Sequence, residues 1–528
     1  MGSEHFPPFQ PLTLNISQTQ YSIISSVGQE LGWRLSQSCK EDWDVCWLDS
    51  GMTPERLIRL RPYQRINHYP GMHSLSQKNH LAVNLRDMQE ALPQEYDFFP
   101  QTWLLPKSYG ELKRDVEEGK KKTYIVKPEA ESQGRGIFLT NSLDKVPTGN
   151  RCVVQRYIEH PFLLDGLKFD LRLYVLVTGS DPIHIYIHEE GLARFATMPY
   201  KRPKEGNLSA TWMHLTNYAI NKTNPEFVFN TEAEKDDVGH KRSLESVFSR
   251  LSSLGHNSAE LWTSITHLIT KTILSAYPLL THIYHSCQPH VPSLCFELLG
   301  FDILFDHHLK PWLLEVNHSP SFNTDSPLDE SVKRRVIRDV FGVLGVTQEE
   351  RRRYYEGLRE RSVQTLVLDR TPSLKLLSPL NGRNTQARPR QPTLGGFQLL
   401  YPTVSPNYLP CLEAASRIYQ SRLPKSQPTR DLSALSLTPL RRMPATRANS
   451  GQEEPRRLSF SNKRPVKGPS ASLVGLDAAF LRPIVLRRLP KGAYLRPKYL
   501  KFSSIDPEDR KSNTHIKHIL RIKHVAKT

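Results

Sequence analysis

The sequence predicts a mixed α/β protein of three consecutive units, followed by a long basic extension. Three observations predict it. Short apolar runs with strand-like character recur throughout residues 12–345. Between them lie stretches whose apolar residues return at helical spacing, such as 20–32, 78–92 and 257–285. Beyond about 367 neither period persists, and Pro, Ser and Arg dominate.

The charge is divided in the same way. The chain has 528 residues and a formal charge of +18. Residues 351–528 hold 35 Lys and Arg against 11 Asp and Glu, a net of +24, which leaves residues 1–350 with 36 against 42, a net of −6. The first part therefore has the balance of an ordinary globular body. The second is suited to a polyanionic partner. The six cysteines form no CxxC pair, which excludes a zinc ribbon or a disulfide framework and fits a reducing compartment. No apolar stretch is long enough to span a bilayer. The N-terminus has no signal-peptide pattern, and Phe6 breaks a myristoylation motif. A cytosolic protein without a membrane partner is expected.

The first unit, 1–75, opens with LTLNI (12–16) as a strand, continues with a helix over 20–32, and has a second strand in WDVCW (43–47). Arg61, Arg65 and His68 stand before a Pro-Gly turn, as a solvated surface or a basic rim. The second unit, 76–200, begins with a helix over 78–92. TYIVK (123–127) then leads through a glycine loop to GIFLT (136–140). Gly134 and Gly136 would let backbone amides approach phosphate oxygens. This loop matches neither the P-loop nor the Rossmann fingerprint. VVQRYI (153–158) reads as a buried strand ending at a hinge between lobes. In KFDLRLYVLVTG (168–179), period two places Lys168, Asp170, Arg172 and Tyr174 on one face. A charged row running into an apolar strand marks a site at the strand's mouth. A following hairpin delivers Arg194.

The third unit, 201–345, carries Thr216, Asn217 and Tyr218, then Lys241 and Arg242, then the long helix over 257–285. It closes on FELLGFDILFDHHLKPWLLEVNHSP (296–320), read as two antiparallel strands. Phe301, Ile303 and Phe305 share one face and Asp302 takes the other. Trp312, Leu314 and Val316 share one face, with Glu315 and Asn317 opposite. Pairing Phe305 with Lys310 puts Asp302 across from Leu313 and diagonal to Glu315. Two carboxylates and an amide oxygen then converge, a hard donor set suited to Mg²⁺ and phosphate. Residues 346–366 continue as an arginine-rich helical extension. Residues 367–528 are expected to be a largely disordered tail, in which 484–502 interleaves basic and apolar residues.

KPEAESQGRGIF, QRYI, KFDLRLYVLV, EGLARFAT, MHLTNYAINK, FELLGFDIL and KPWLLEVNHSPSF, in this order over roughly 60–340, together resemble the tubulin tyrosine ligase-like family, and its polyglutamylase branch most. The resemblance implies an ATP-grasp fold: two α/β lobes closing on ATP and Mg²⁺ behind an N-terminal domain. It implies that Lys127, Gln133, Gly134, Gln155, Arg156, Tyr157, Ile158, Lys168, Phe169, Asp170, Thr216 and Asn217 hold ATP. Asp302, Glu315 and Asn317 would bind two Mg²⁺ ions, with Glu315 bridging. Arg194, Tyr218 and Lys241 would receive free L-glutamate, and Gln133 and His318 would touch the acceptor protein. Arg172, Glu315 and His318 are the implied catalytic residues. The implied function is polyglutamylation of tubulin tails by a monomer acting on microtubules, in the cytoplasm, the cytoskeleton and the cilium with its basal body.

Three other readings are weighed against this one. A glycylase or tyrosine ligase of the same family would share the motifs but not need a basic amino-acid pocket. A non-catalytic microtubule or nucleic-acid binder would need no metal ligands, and aromatic–glycine RNA-binding signatures are absent. An ATP-grasp enzyme acting on a small acid would have no use for the basic tail.

Overall fold

The computed structural model describes residues 11–118, 122–128, 134–147, 149, 151–232, 235–289, 291, 294–368, 393–403 and 406–423. Three sheets organise them. The first is parallel and contains β1 (Thr13–Gln18), β2 (Arg34–Ser36), β3 (Val45–Leu48) and β4 (Arg65–Ile66), in the order β2-β1-β3-β4. All four residues of β3 are buried, because the strand lies between neighbours and against a core that does not stop at this unit. Leu14, Val45 and Trp47 pack in one cluster with Tyr174, Phe296, Phe322 and Phe341 from later in the chain. The N-terminal unit thus shares its core with the body behind it. Removing the Trp47 side chain would cost about 3–5 kcal/mol.

The second sheet contains β5 (Thr102–Leu105), β6 (Tyr124–Pro128), β7 (Phe138–Thr140) and β8 (Cys152–Arg156), in the order β5-β8-β6-β7. Its strands alternate as period two requires. Tyr124 and Val126 pack with Leu112 of the Tyr109–Glu117 helix, while Ile125 and Lys127 turn to the opposite face.

The third sheet is the largest. The short β9 (Leu163–Leu164) pairs with the start of β10 (Leu167–Thr178). The main order is β12-β11-β10-β13-β14, from β11 (His184–Phe195), β12 (Lys241–Ser243), β13 (Phe296–Phe305) and β14 (Pro311–Asn317). Leu171, Leu173, Val175 and Val177 of β10 are fully buried. The alternate face changes character along its length: Lys168, Asp170 and Arg172 are charged, and Tyr174 and Leu176 enter the core shared with the first sheet. The helix Ser258–Cys287 packs against β14 and is capped by Asn257, whose side chain accepts from the Glu260 amide. The helix Pro327–Leu344 starts at Ser326, which accepts from the Asp329 amide.

Three expectations are corrected. A lobe boundary at 200 would cut the large sheet in two, because β10 and β11 bond to β13 and β12; the change of sheet comes instead between β8 and β9. The hairpin register also differs. Phe305 pairs with Pro311, and an irregularity after Asp302 sets Asp302 directly across from Glu315. The extra residue in β14 turns Leu313 and Val316 into the core, both buried, while Trp312 and Leu314 are only half-buried. Finally, the stretch assigned to the tail contains structure. β15 (Phe397–Tyr401) pairs antiparallel with β11, and the helix Leu409–Arg422 packs on Ser258–Cys287 and Lys78–Ala91. Asp339 accepts from the Gly396 amide, and Arg422 donates to the Asn84 side chain. These elements belong to the same compact unit as the three sheets. The interleaved run 484–502 lies outside the described residues.

Candidate functional site

The second and third sheets face each other across a cleft. Ile125 and Lys127 of β6, Ile137, and Gln155 to Ile158 line one wall. Lys168, Asp170 and Arg194, the segment His214–Asn217, Asp302, Leu304, Leu314 and Glu315 line the other.

On the small-sheet wall, Lys127 Nζ donates to Gln155 Oε1 at 2.8 Å. Burial pushes its ammonium down to about 8, although the nearby Glu315 charge favours the proton. Lys168 reaches across from β10 and donates to Tyr157 Oη at 2.9 Å and to the His214 carbonyl at 2.8 Å. Burial drives it down to about 7 against the pull of Asp170. Gly134 has a φ of +82°, and a Cβ there would lie 2.5 Å from Ile220 Cδ1 and 3.2 Å from Asn217 Cγ. Only glycine lets this loop close on the Asn217 side of the cleft.

The large-sheet wall is a chain of alternating charges. Thr216 Oγ1 donates to Asp170 Oδ2 at 2.6 Å. Arg194 donates to both oxygens of Asp170, each at 2.7 Å, and lies 2.8 Å from Asp302 Oδ2. Arg172 takes Asp302 in a two-pronged pair at 2.6 and 3.1 Å. Burial alone would raise the Asp302 carboxyl, but Arg172 and Arg194 outweigh it and hold the group well below the usual carboxylate range. Glu315 moves the other way, raised by burial and then by the Asp302 charge.

The buried Asp302 and the half-buried Glu315 stand directly opposite each other on one face and call for a cation between them. The Asn317 amide lies 3.3 Å from Glu315 Oε1 and 3.5 Å from Asp302 Oδ2. A side-chain amide can turn either its oxygen or its nitrogen to such a point. These oxygen donors fit Mg²⁺, and Asp302, Glu315 and Asn317 would hold it.

Beside Arg194, across the β11–β12 ladder, is Lys241. Its ammonium lies 3.8 Å over the Tyr218 ring and pairs with the fully buried Asp329. Lys333 also pairs with Asp329, at 2.9 Å. Lys241 therefore lies next to both Arg194 and Tyr218.

Not every expected residue presents its side chain. Arg156 donates to both oxygens of Asp115 at 2.7 Å, on the far side of its strand. Phe169 stacks on Phe195 in the core. Only the backbone of these two can serve a ligand. Arg172 meets the cleft through Asp302. His318 follows β14, with its ring 5.8 Å from that of His68. His68 is buried against Glu297 rather than lying on a basic rim. Arg65 pairs with Glu350 and Arg61 bonds to Tyr63 and Tyr355, so neither extends a rim. Gln133 lies outside the described residues. Missed by the sequence reading are His214, whose carbonyl holds Lys168, and the buried Asp329–Lys333 pair behind Lys241. The i, i+4 spacing of Asp329 and Lys333 and the place of His214 in MHLTNYAINK were local signals, but their contacts with Lys241 and Lys168, far off in sequence, were not.

A cleft between two sheets, with lysines on both walls and a carboxylate hairpin at its end, is the architecture of the ATP-grasp class. A family model described as the Tubulin-tyrosine ligase family matches residues 56–353, and the chain belongs to that family. It is 47% identical over 403 residues to a probable beta-tubulin polyglutamylase of Tetrahymena thermophila, covering 74% of this chain and 34% of that protein. Tubulin polyglutamylase TTLL13 of Mus musculus is 41% identical over 431 residues, covering 78% and 52%. Tubulin polyglutamylase TTLL6 of Homo sapiens is 40% identical over 400 residues, covering 75% and 44%. The chain thus spans between a third and about half the length of these relatives.

Proposed function

We propose that the chain is an ATP-dependent polyglutamylase. It joins free L-glutamate to glutamate side chains of tubulin C-terminal tails. The observation that carries this reading is the convergence in one cleft of Lys127 and Lys168 with Asp302, Glu315 and Arg194, Asp302 being held from behind by Arg172. The relatives' names support tubulin as the acceptor.

A carboxylate is a poor electrophile, so the acceptor must be activated. Its oxygen attacks the γ-phosphorus of ATP, the bond to ADP breaks, and an acylphosphate forms. The amine of free glutamate then attacks the acyl carbon, and phosphate leaves carrying the acceptor's oxygen. Lys127 and Lys168 bind the negative nucleotide from the two walls. Asp302, Glu315 and Asn317 would hold two Mg²⁺ ions, whose charge would neutralise phosphate. Arg172, positioned by Asp302, faces the charge that develops on the acyl group. Arg194 and Lys241 receive the two carboxylates of the incoming amino acid over Tyr218. His318 and Gln133 contact the acceptor, and His318 takes a proton from the attacking amine. The chain acts as a monomer on microtubules, in the cytoplasm and on cytoskeletal structures, the cilium and its basal body included. Among the described residues no helix is long and apolar enough to cross a membrane.

The test offers microtubules ATP, Mg²⁺ and isotope-labelled glutamate, glycine and tyrosine together, with products read by mass spectrometry. Glutamyl adducts on tubulin tails are expected. Glycyl or tyrosyl adducts in their place would overturn the assignment of the amino acid.

A further inference from the structure

The loop after β3 brings a glycine beside His318, the residue that follows Asn317 at the end of β14. Gly51 is exposed, and a Cβ built there would lie 3.9 Å from His318 Nε2, with no other contact within 4 Å. Its φ lies outside the left-handed region, so the backbone does not require glycine here. What glycine does at this position is leave one side of the His318 ring open.

The loop is held firmly. Leu48, at its start, donates to Asn67 Oδ1 at 2.7 Å and accepts from Asn67 Nδ2 at 2.8 Å. His68 Nε2 also meets the Leu48 carbonyl at 3.1 Å, while Nδ1 meets Glu297 Oε1 at 2.9 Å. Both ring nitrogens of His68 thus face acceptors. Glu297 accepts from the Tyr69 amide as well, at 2.8 Å. This knot fastens the first sheet to β13, so the gap between Gly51 and His318 has fixed walls. Its surroundings suit an anion. His73 and His80 stand with rings 5.4 Å apart. Lys78, between them in sequence, acts on Glu315. The acids nearby are engaged: Glu297, which acts on His318, is held by His68 and the Tyr69 amide, and Asp49 accepts from the Gln20 amide at 2.8 Å.

We infer that Gly51 is a specificity-determining residue, which by lacking a side chain keeps open the lane beside His318 through which an acidic, extended acceptor chain reaches the metal-binding carboxylates. The inference rests on the proposed reading of His318 as an acceptor contact. A single methyl fits in ordinary van der Waals contact; a longer side chain covers Nε2.

The test uses the full chain, a synthetic peptide of consecutive glutamates, and the variants Gly51→Ala and Gly51→Leu. Peptide affinity is read directly by fluorescence anisotropy, and KM values for peptide and ATP are read from turnover. The effect should grade with side-chain size. Gly51→Leu should weaken peptide binding and raise the peptide KM about tenfold or more, and Gly51→Ala much less, with the ATP KM unmoved in both. Unchanged peptide binding in Gly51→Leu, or a parallel rise in the ATP KM, would overturn it. An exposed loop position with ordinary backbone leaves folding intact, which thermal denaturation checks. Should the wild-type chain bind the peptide yet add no glutamate to it, the proposed activity fails while the anisotropy comparison still decides the role of Gly51.

Discussion

The two walls of the cleft handle charge in opposite ways. On the small-sheet wall Lys127 faces the neutral amide of Gln155, and Lys168, reaching over from β10, faces a phenol and a carbonyl. Both ammonium groups are pushed down by burial, to about 8 and about 7. On the large-sheet wall Asp170, Arg194, Asp302 and Arg172 each have a partner within 3 Å, along the line Thr216–Asp170–Arg194–Asp302–Arg172. A lysine in a low-dielectric site without a carboxylate partner is poised for a foreign anion. An arginine clamped between two carboxylates is poised to hold geometry. In the proposed function the two lysines therefore bind the nucleotide, and the charge line fixes the metal ligands and the anion pocket.

Three experiments break or sharpen that contrast. The largest effect is expected from Glu315→Gln, which keeps the shape of the large-sheet wall but removes one of its two facing carboxylates. Ligation should fall by at least about 10³-fold, and calorimetry should show nucleotide binding that no longer responds to Mg²⁺. Retained Mg²⁺ dependence would contradict the donor set. Next, Lys241→Ala should raise the KM for free glutamate by about 10–100-fold while the ATP KM changes only a few-fold. Asp329 keeps Lys333 as a partner, so the stability cost should stay near 1–3 kcal/mol, read by denaturant titration. Equal loss for both substrates would place Lys241 in the scaffold.

The smallest effect is graded with pH. Below about 7 the Lys168 amine carries its proton and attracts the nucleotide; above it burial leaves the amine neutral. Nucleotide affinity should therefore fall as pH rises from 6.5 to 8.5, by up to about tenfold per unit, with proton uptake on binding. Lys168→Met should remove the part of the fall centred near 7 and leave the part centred near 8 that Lys127 contributes. An affinity that stays level in the wild type would show that Lys168 does not face the nucleotide.

Strand alternation made much of this legible in advance. Lys168, Asp170 and Arg172 do share a face, and Asp302 and Glu315 do converge, because period two follows from backbone geometry alone. The hairpin register was not legible. The extra residue in β14 looks like any other apolar residue in WLLEV, and only pairing with β13 makes it a bulge. The charge line was equally hidden, since Arg194 and Asp302 meet only once β10 stands between β11 and β13. Side-chain direction at Arg156 was lost for a similar reason: Asp115, which holds it, lies in a helix 41 residues away.

β15 and the helix Leu409–Arg422 were the largest omission. FQLLY is a five-residue strand set in Pro- and Arg-rich sequence, and the helix buries small residues, Cys411, Ala414 and Ala415, whose pattern is faint. A truncation at 367 removes a strand of the large sheet's assembly along with the basic tail. A cut after 423 is needed to separate the two.

The central claim is that the cleft activates the acceptor's carboxylate with phosphate before the amine attacks. It is tested most directly with a glutamate-rich acceptor whose side-chain carboxylates carry ¹⁸O, incubated with the chain, Mg²⁺, ATP and free glutamate. One ¹⁸O should appear in inorganic phosphate for each isopeptide bond formed. Phosphate free of ¹⁸O, alongside new glutamyl bonds, would contradict the account.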